Sequence, residues 1–163
     1  MIYQYLVYQV FIMSSERLGN IIFYSLEKAI KIYRQFAQRN ITGANFDITI
    51  DQWLVLKTLE ESPTITQQQL AVKVFKDLAS VSRIFDLLIE KGFLIREPDL
   101  ADRRRCKLTI TKDGLGILDS VQPLIHSNRA AALSGISKAD IRKLQEILER
   151  LIANTDLNSS ETR

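Results

Sequence analysis

A chain of 163 residues, 46% hydrophobic and 25% charged, is long enough for one globular domain, or for a small domain with an appended oligomerisation element. The single cysteine, Cys106, rules out an internal disulfide framework, and the single histidine, His126, leaves no ligand set for a metal; no cofactor is expected, and a reducing, cytoplasmic setting is the default. The net charge is only +3, yet residues 73–112 hold ten Lys/Arg against six Asp/Glu and the remainder is slightly negative, which is the local basic field expected beside nucleic acid.

The chain opens with twelve residues free of charge, "MIYQYLVYQVFI". A membrane span needs about 20 apolar residues and a signal peptide needs a basic leading region, so neither is expected, and no membrane partner follows. Two readings stay open: the start lies at Met13, or the segment buries its aromatic residues against a partner. From Ser15 to about Arg39, Leu18, Ile22, Leu26, Ala29, Tyr33 and Phe36 recur at spacings of three and four, predicting an amphipathic helix capped by Ser15. "NITGANFDIT" breaks that pattern, and Asp51 is expected to cap a second helix, "QWLVLKTLEE", ending before Pro63.

Thr66 and Gln69 form a capping box that opens a short third helix, "TQQQLAVKVF". A fourth helix spans about Leu78 to Lys91. Its wheel puts Leu78, Val81, Phe85, Leu88 and Ile89 on the core face and Ala79, Ser80, Arg83, Asp86, Leu87 and Glu90 on the other, with Gly92 as the stop. "FLIRE" and "CKLTIT" read as the arms of a hairpin around the polar, basic tip "PDLADRRR". Thr111 opens a fifth helix through Leu115, Leu118 and Val121, in which Pro123 predicts a kink or a break. Ser137 and Asp140 cap a last helix with an apolar stripe at Ile141, Leu144, Leu148, Leu151 and Ile152, and "NTDLNSSETR" reads as a frayed tail.

Helix, helix, turn, helix and then a basic-tipped hairpin is the order of a winged helix-turn-helix: a mainly α fold with a small β-hairpin wing. The second helix of such a turn motif enters the major groove of double-stranded DNA. Small residues at Ala79 and Ser80 let the fourth helix approach the bases, Arg83 carries a planar fork suited to guanine O6 and N7, and Lys76 is placed for a phosphate. Ser82 lies on the flank of that helix, nearer its apolar face, and suits a backbone or phosphate contact. Leu87 faces outward with no role that DNA contact explains.

The run "DQWLVLKTLEES…TQQQLAVKV…LASVSRIFDLLIEKGFLIREPDLADRRRCKLTITKDG" resembles the MarR family of bacterial transcription regulators over about half of the chain, through "SVSR" followed by "KG", then "DRR" and "LTIT..G". The resemblance implies an obligate homodimer with interleaved first and last helices. It divides the chain into an N-terminal segment and dimerisation helix (1–45), a winged DNA-binding domain (46–112) and C-terminal dimerisation helices with a tail (113–163). It also implies Ser80, Ser82 and Arg83 on the recognition helix, Asp102 and Arg104 at the wing with the arginine reaching the minor groove, and control by a small-molecule effector where the dimerisation and DNA-binding parts join. Arg103 and Arg105, beside them, are expected on phosphates.

Tyr33 and Arg34 are the candidate effector-pocket residues, although aromatic residues at helical spacing ordinarily belong to a core. Two alternatives to a ligand-responsive repressor are kept: a thiol-based redox sensor using Cys106, which follows three arginines, and a winged domain used for protein contact. An enzyme finds little support, since His126 stands alone, Glu60 and Glu61 sit at a helix end, and no glycine-rich phosphate loop occurs.

Overall fold

The computed structural model describes residues 17–98 and 106–155. Six α-helices and one two-stranded hairpin make up these residues: α1 (Ile22–Gly43), α2 (Ile50–Glu61), α3 (Gln67–Lys73), α4 (Leu78–Glu90), β1 (Leu94–Pro98), β2 (Cys106–Ile110), α5 (Lys112–Ala132) and α6 (Lys138–Thr155). The fold is a winged helix-turn-helix, mainly α with a small β-hairpin, as the order of sequence signals predicts. The chain clusters into two units, one running through Asn128 and one beginning at Arg129.

The first unit is built on one core. Val55, Leu56 and Leu59 of α2, Leu70 and Ala71 of α3, Val81, Phe85 and Leu88 of α4, Leu94 of β1, and Leu118, Val121 and Ile125 of α5 are all buried together, with Ile41 from the end of α1. Each helix contributes one stripe, so the apolar spacing that predicts the helices also sets which faces meet. Exchange of amphipathic faces positions α4 with its opposite side in solvent.

Helix ends follow local chemistry. Thr66 and Gln69 make the expected capping box of α3. For α2, however, the cap is not Asp51: Thr49 accepts from the Gln52 amide and Gln52 reaches back, a second capping box. Asp51 stands inside the first turn, where a carboxylate suits the positive helix end. α1 also differs from expectation. Residues Leu18–Asn20 form a separate 3-10 turn and Ile21 is extended, so the helix begins at Ile22 and runs past Arg39 to Gly43; Gly19 and Asn20 are poor helix formers at the place where the earlier turn would have continued. Ser15, the expected cap, lies outside the described residues.

α1, α3 and α4 finish in the same way. The second residue beyond each last helical one has positive φ: Asn45 (59°), Phe75 (56°) and Gly92 (73°). At each, the amide of the following residue returns to a carbonyl five positions back, as Phe46 to Ile41, Lys76 to Ala71 and Phe93 to Leu88. This is the Schellman closure, which favours glycine and tolerates asparagine. Phenylalanine is the unusual occupant, and Phe75 is 91% exposed.

β1 and β2 pair antiparallel with Leu94 opposite Ile110, Arg96 opposite Leu108 and Pro98 opposite Cys106. Thr111 then joins hairpin to helix. Its hydroxyl donates to the Gly92 carbonyl at 2.7 Å and accepts from the Gly114 amide at 3.0 Å, while its own amide donates to Phe93. A Cβ on Gly114 would stand 2.2 Å from the Phe93 carbonyl oxygen and 2.7 Å from Ile110 Cγ2, so only glycine lets α5 approach the base of the hairpin this closely. That contact accounts for the glycine in "LTIT..G".

Pro123 does not break α5, which runs without interruption from Lys112 to Ala132. Proline forfeits one hydrogen bond, but Val121 and Ile125 on either side are buried in the core and hold the backbone helical.

The second unit consists of the end of α5 and α6. Ser137 caps α6 by accepting from the Asp140 amide and donating to its carboxylate, as the capping pair predicts. None of its residues is buried, and Leu144, Ile147 and Ile152 are 48%, 39% and 67% exposed. No helix among the described residues is long and apolar enough to cross a membrane.

Candidate nucleic-acid interface

The candidate interface starts at the N-terminus of α4. Asp77 caps this helix, accepting from the Ser80 amide and the Ser80 hydroxyl, both at 2.7 Å. The hydrogen bond from the Ser80 amide, followed by that from its hydroxyl, holds the Asp77 carboxyl below its ordinary value. With its proton committed to Asp77, the Ser80 hydroxyl is left as an acceptor. Ala79 and Arg83 are exposed on the next turns, and Arg83 makes no ion pair among the described residues. Asp86 and Leu87 continue the same outward face, as the wheel predicts.

Ser82 is half-buried on the flank of α4. It lines a groove between the N-terminal turn of α3 and the hairpin, together with Thr66, Gln67, Arg96, Lys107 and Leu108. Arg96 also reaches Asp86 of α4 at 3.4 Å, which ties the hairpin to the outward face of the helix. The groove makes Arg96 and Lys107 neighbours of α4. Their place in the pattern is visible afterwards in the strand alternation, but the three consecutive arginines draw attention away from them.

Lys76 is half-buried, and its ammonium lies 3.1 Å from Asp51 rather than projecting into solvent. Asp51 also pairs with Arg34 of α1. One carboxylate at the start of α2 therefore holds a cation from α1 and another from the turn that precedes α4. Arg34 borders a shallow pocket with Gln38, Arg39, Thr49, Ile50 and Asp51, while Tyr33 is half-buried and does not line it. The structure thus separates Tyr33 and Arg34, the two candidate effector residues.

Asp102, Arg103, Arg104 and Arg105 lie outside the described residues, as does the Cys106 side chain; the Cys106 backbone is the first residue of β2. His126 is paired with Gln122 and Glu60 with Lys57, neither in a cluster of acid–base groups.

A buried core stripe on α4, an outward face whose arginine has no ion-pair partner among the described residues, and a hairpin braced to that face form one constellation. Residues 48–106 match the model of the MarR family, which covers α2 through the first residue of β2. The chain carries a MarR-family domain. Its fold is also that of solved structures. A probable transcriptional regulator from Pseudomonas aeruginosa is 26% identical with a TM-score of 0.74, over 83% of this chain and 100% of that one. BpsR of Bordetella bronchiseptica, whose DNA binding is regulated by 6-hydroxynicotinic acid, is 20% identical with a TM-score of 0.75, over 83% and 96%. CouR from Rhodococcus jostii, bound to p-coumaroyl-CoA, is 18% identical with a TM-score of 0.71, over 84% and 95%. The MarR-family domain and its fold are those of transcription regulators, not of enzymes. The matched residues include the whole of α4.

Proposed function

We propose that the chain is a homodimeric, sequence-specific DNA-binding regulator, a repressor whose hold on its operator changes when a small ligand binds. The observation that carries this reading is the outward face of α4, where Ala79 and Arg83 are exposed beside a capped helix N-terminus. Inserted in a major groove, that face brings Arg83 to a guanine edge, with Ser80 accepting from a base or water. Ser82 with Arg96 and Lys107 serves the sugar–phosphate backbone. Arg104 enters the adjacent minor groove, supported by Asp102, and Arg103 and Arg105 lie on phosphates.

Dimerisation is supported by apolar surface that one chain leaves uncovered. Ile22, Phe23, Ile30 and Ile32 of α1 are each more than half exposed, and no residue of α6 is fully buried. Monomers rarely leave such stripes bare. Ligand control is supported by the two structural relatives with small-molecule partners. Arg34, at the pocket beside α1 and α2, is the residue of this chain best placed to sense such a ligand.

Fluorescence anisotropy with the DNA flanking the chain's own coding region, measured across a salt series, tests the reading. A specific site should outcompete random duplex by at least about 10³-fold, and log K should fall linearly with log salt. Equal affinity for both duplexes, or a monomer at micromolar concentration in sedimentation, would overturn it.

A further inference from the structure

We infer that Leu78 reads the methyl group of a thymine in the operator, as a specificity-determining residue at the first turn of α4; this rests on the proposed DNA-binding role of that helix. The wheel assigns Leu78 to the core face with Val81, Phe85 and Leu88. Those three are buried, at 0%, 1% and 0% exposure, but Leu78 is 49% exposed. The reason is positional. Asp77 is the cap, so Leu78 is the first helical residue, and a helical side chain covers the turn N-terminal to its own Cα. For Leu78 that turn does not exist, and the side chain emerges at the end of the helix beside exposed Ala79.

The position is held from across the motif. Gln67 Nε2 of α3 donates to the Leu78 carbonyl at 3.4 Å, and the Asp77 cap fixes the turn that follows. Recognition helices present their N-terminal residues to the base edges. There the thymine C5 methyl is the one apolar group on the major-groove edge. A branched apolar side chain at the leading end, flanked by a residue as small as alanine, suits a methyl group and offers no donor or acceptor to any other base edge.

An operator half-site selected from a random duplex pool with the full-length protein provides the probe. Each of its thymines is replaced singly by deoxyuridine, which lacks only the C5 methyl. At one thymine per half-site, the wild type should lose about fourfold in affinity, the equivalent of one apolar group returned to water. Leu78→Ala should bind the thymine operator correspondingly less well and show no further loss with deoxyuridine, so that the two changes fail to add. Leu78→Val should retain part of the discrimination. Circular dichroism confirms that the variants keep their helices, since Leu78 is not a core residue. The inference is overturned if every thymine tolerates replacement, or if Leu78→Ala keeps the full deoxyuridine penalty. Failure to select any duplex overturns the DNA-binding reading itself and this inference with it, an outcome distinct from tight binding without methyl discrimination.

Discussion

Replacing Gly114 by alanine adds a single methyl group where the structure has no room. The new Cβ would stand 2.2 Å from the Phe93 carbonyl oxygen, which belongs to the backbone and receives the Thr111 amide. Ordinary contact would require a separation of about 1 Å more, so either α5 lifts from the hairpin or the β1 side of the junction shifts. Overpacking of that kind costs about 1–3 kcal/mol, with the upper end apt here because the obstacle is backbone. Alanine returns up to about 1 kcal/mol through its better helix propensity. A net loss near 2 kcal/mol should lower the melting temperature by roughly 4–8 °C for a chain of this size. Gly116, two residues on in the same helix, has nothing within 4 Å of its Cβ position. Gly116→Ala should therefore leave the melting temperature unchanged or raise it. Thermal unfolding followed by circular dichroism on the two variants in parallel provides the comparison. Equal melting temperatures for both would show that the close approach of Gly114 to Phe93 is not what holds α5 to the hairpin.

Three further outcomes are expected. Arg83→Ala should narrow the gap between operator and random duplex by about 1–3 kcal/mol; an equal loss on both in competition assays would make Arg83 a phosphate contact. Asp77→Ala should lower the melting temperature at neutral pH through loss of the α4 cap. Because the folded Asp77 is held below its ordinary pKa, the cap's stabilisation is present above the ordinary aspartate range and fades as pH falls through the depressed value. The difference between wild type and variant should accordingly shrink on acidification, and a gap that widened below pH about 4 would contradict the assignment. Phe75→Asn should raise stability by up to about 1 kcal/mol in urea unfolding, since the left-handed backbone costs most residues about 1–2 kcal/mol, asparagine relieves part of that, and an exposed ring has little packing to lose; a lower midpoint would show that the ring is covered in the assembled protein.

Much of the winged helix-turn-helix was legible because its signals are local. The α3 capping box is spelled out by two residues, Thr66 and Gln69, and the α4 wheel separates Val81, Phe85 and Leu88 from Arg83 and Leu87 by period alone. The true α2 cap was legible too: Gln52 stands three residues after Thr49, the same signature, but the nearer acidic residue competed for the role. Leu78 was misplaced because the wheel assumes an endless helix and takes no account of where the first turn begins. The Asp51 pairs with Arg34 and Lys76 depend on three elements meeting, which no local pattern encodes. At Pro123 the expected break does not occur, for the opposite reason: a strong local signal was outweighed by burial on both sides. The wing residues Asp102 to Arg105 stand as the sequence left them, outside the described residues.

The incompletely covered stripe of α6 makes the number of molecules present a variable of the fold. Most helical stability in proteins comes from packing of an amphipathic face, and no residue of α6 is fully buried within the chain. If its apolar side closes on a second copy, the free energy that keeps it helical is set by mass action and rises with the logarithm of concentration. Dilution then unravels this helix at temperatures where the buried core of α2 to α5 is untouched. On the proposed DNA-binding role, a cell holding few copies would carry chains with an intact α4 but no partner's α4 for the second half-site, so occupancy of an operator would respond to copy number more steeply than in simple proportion.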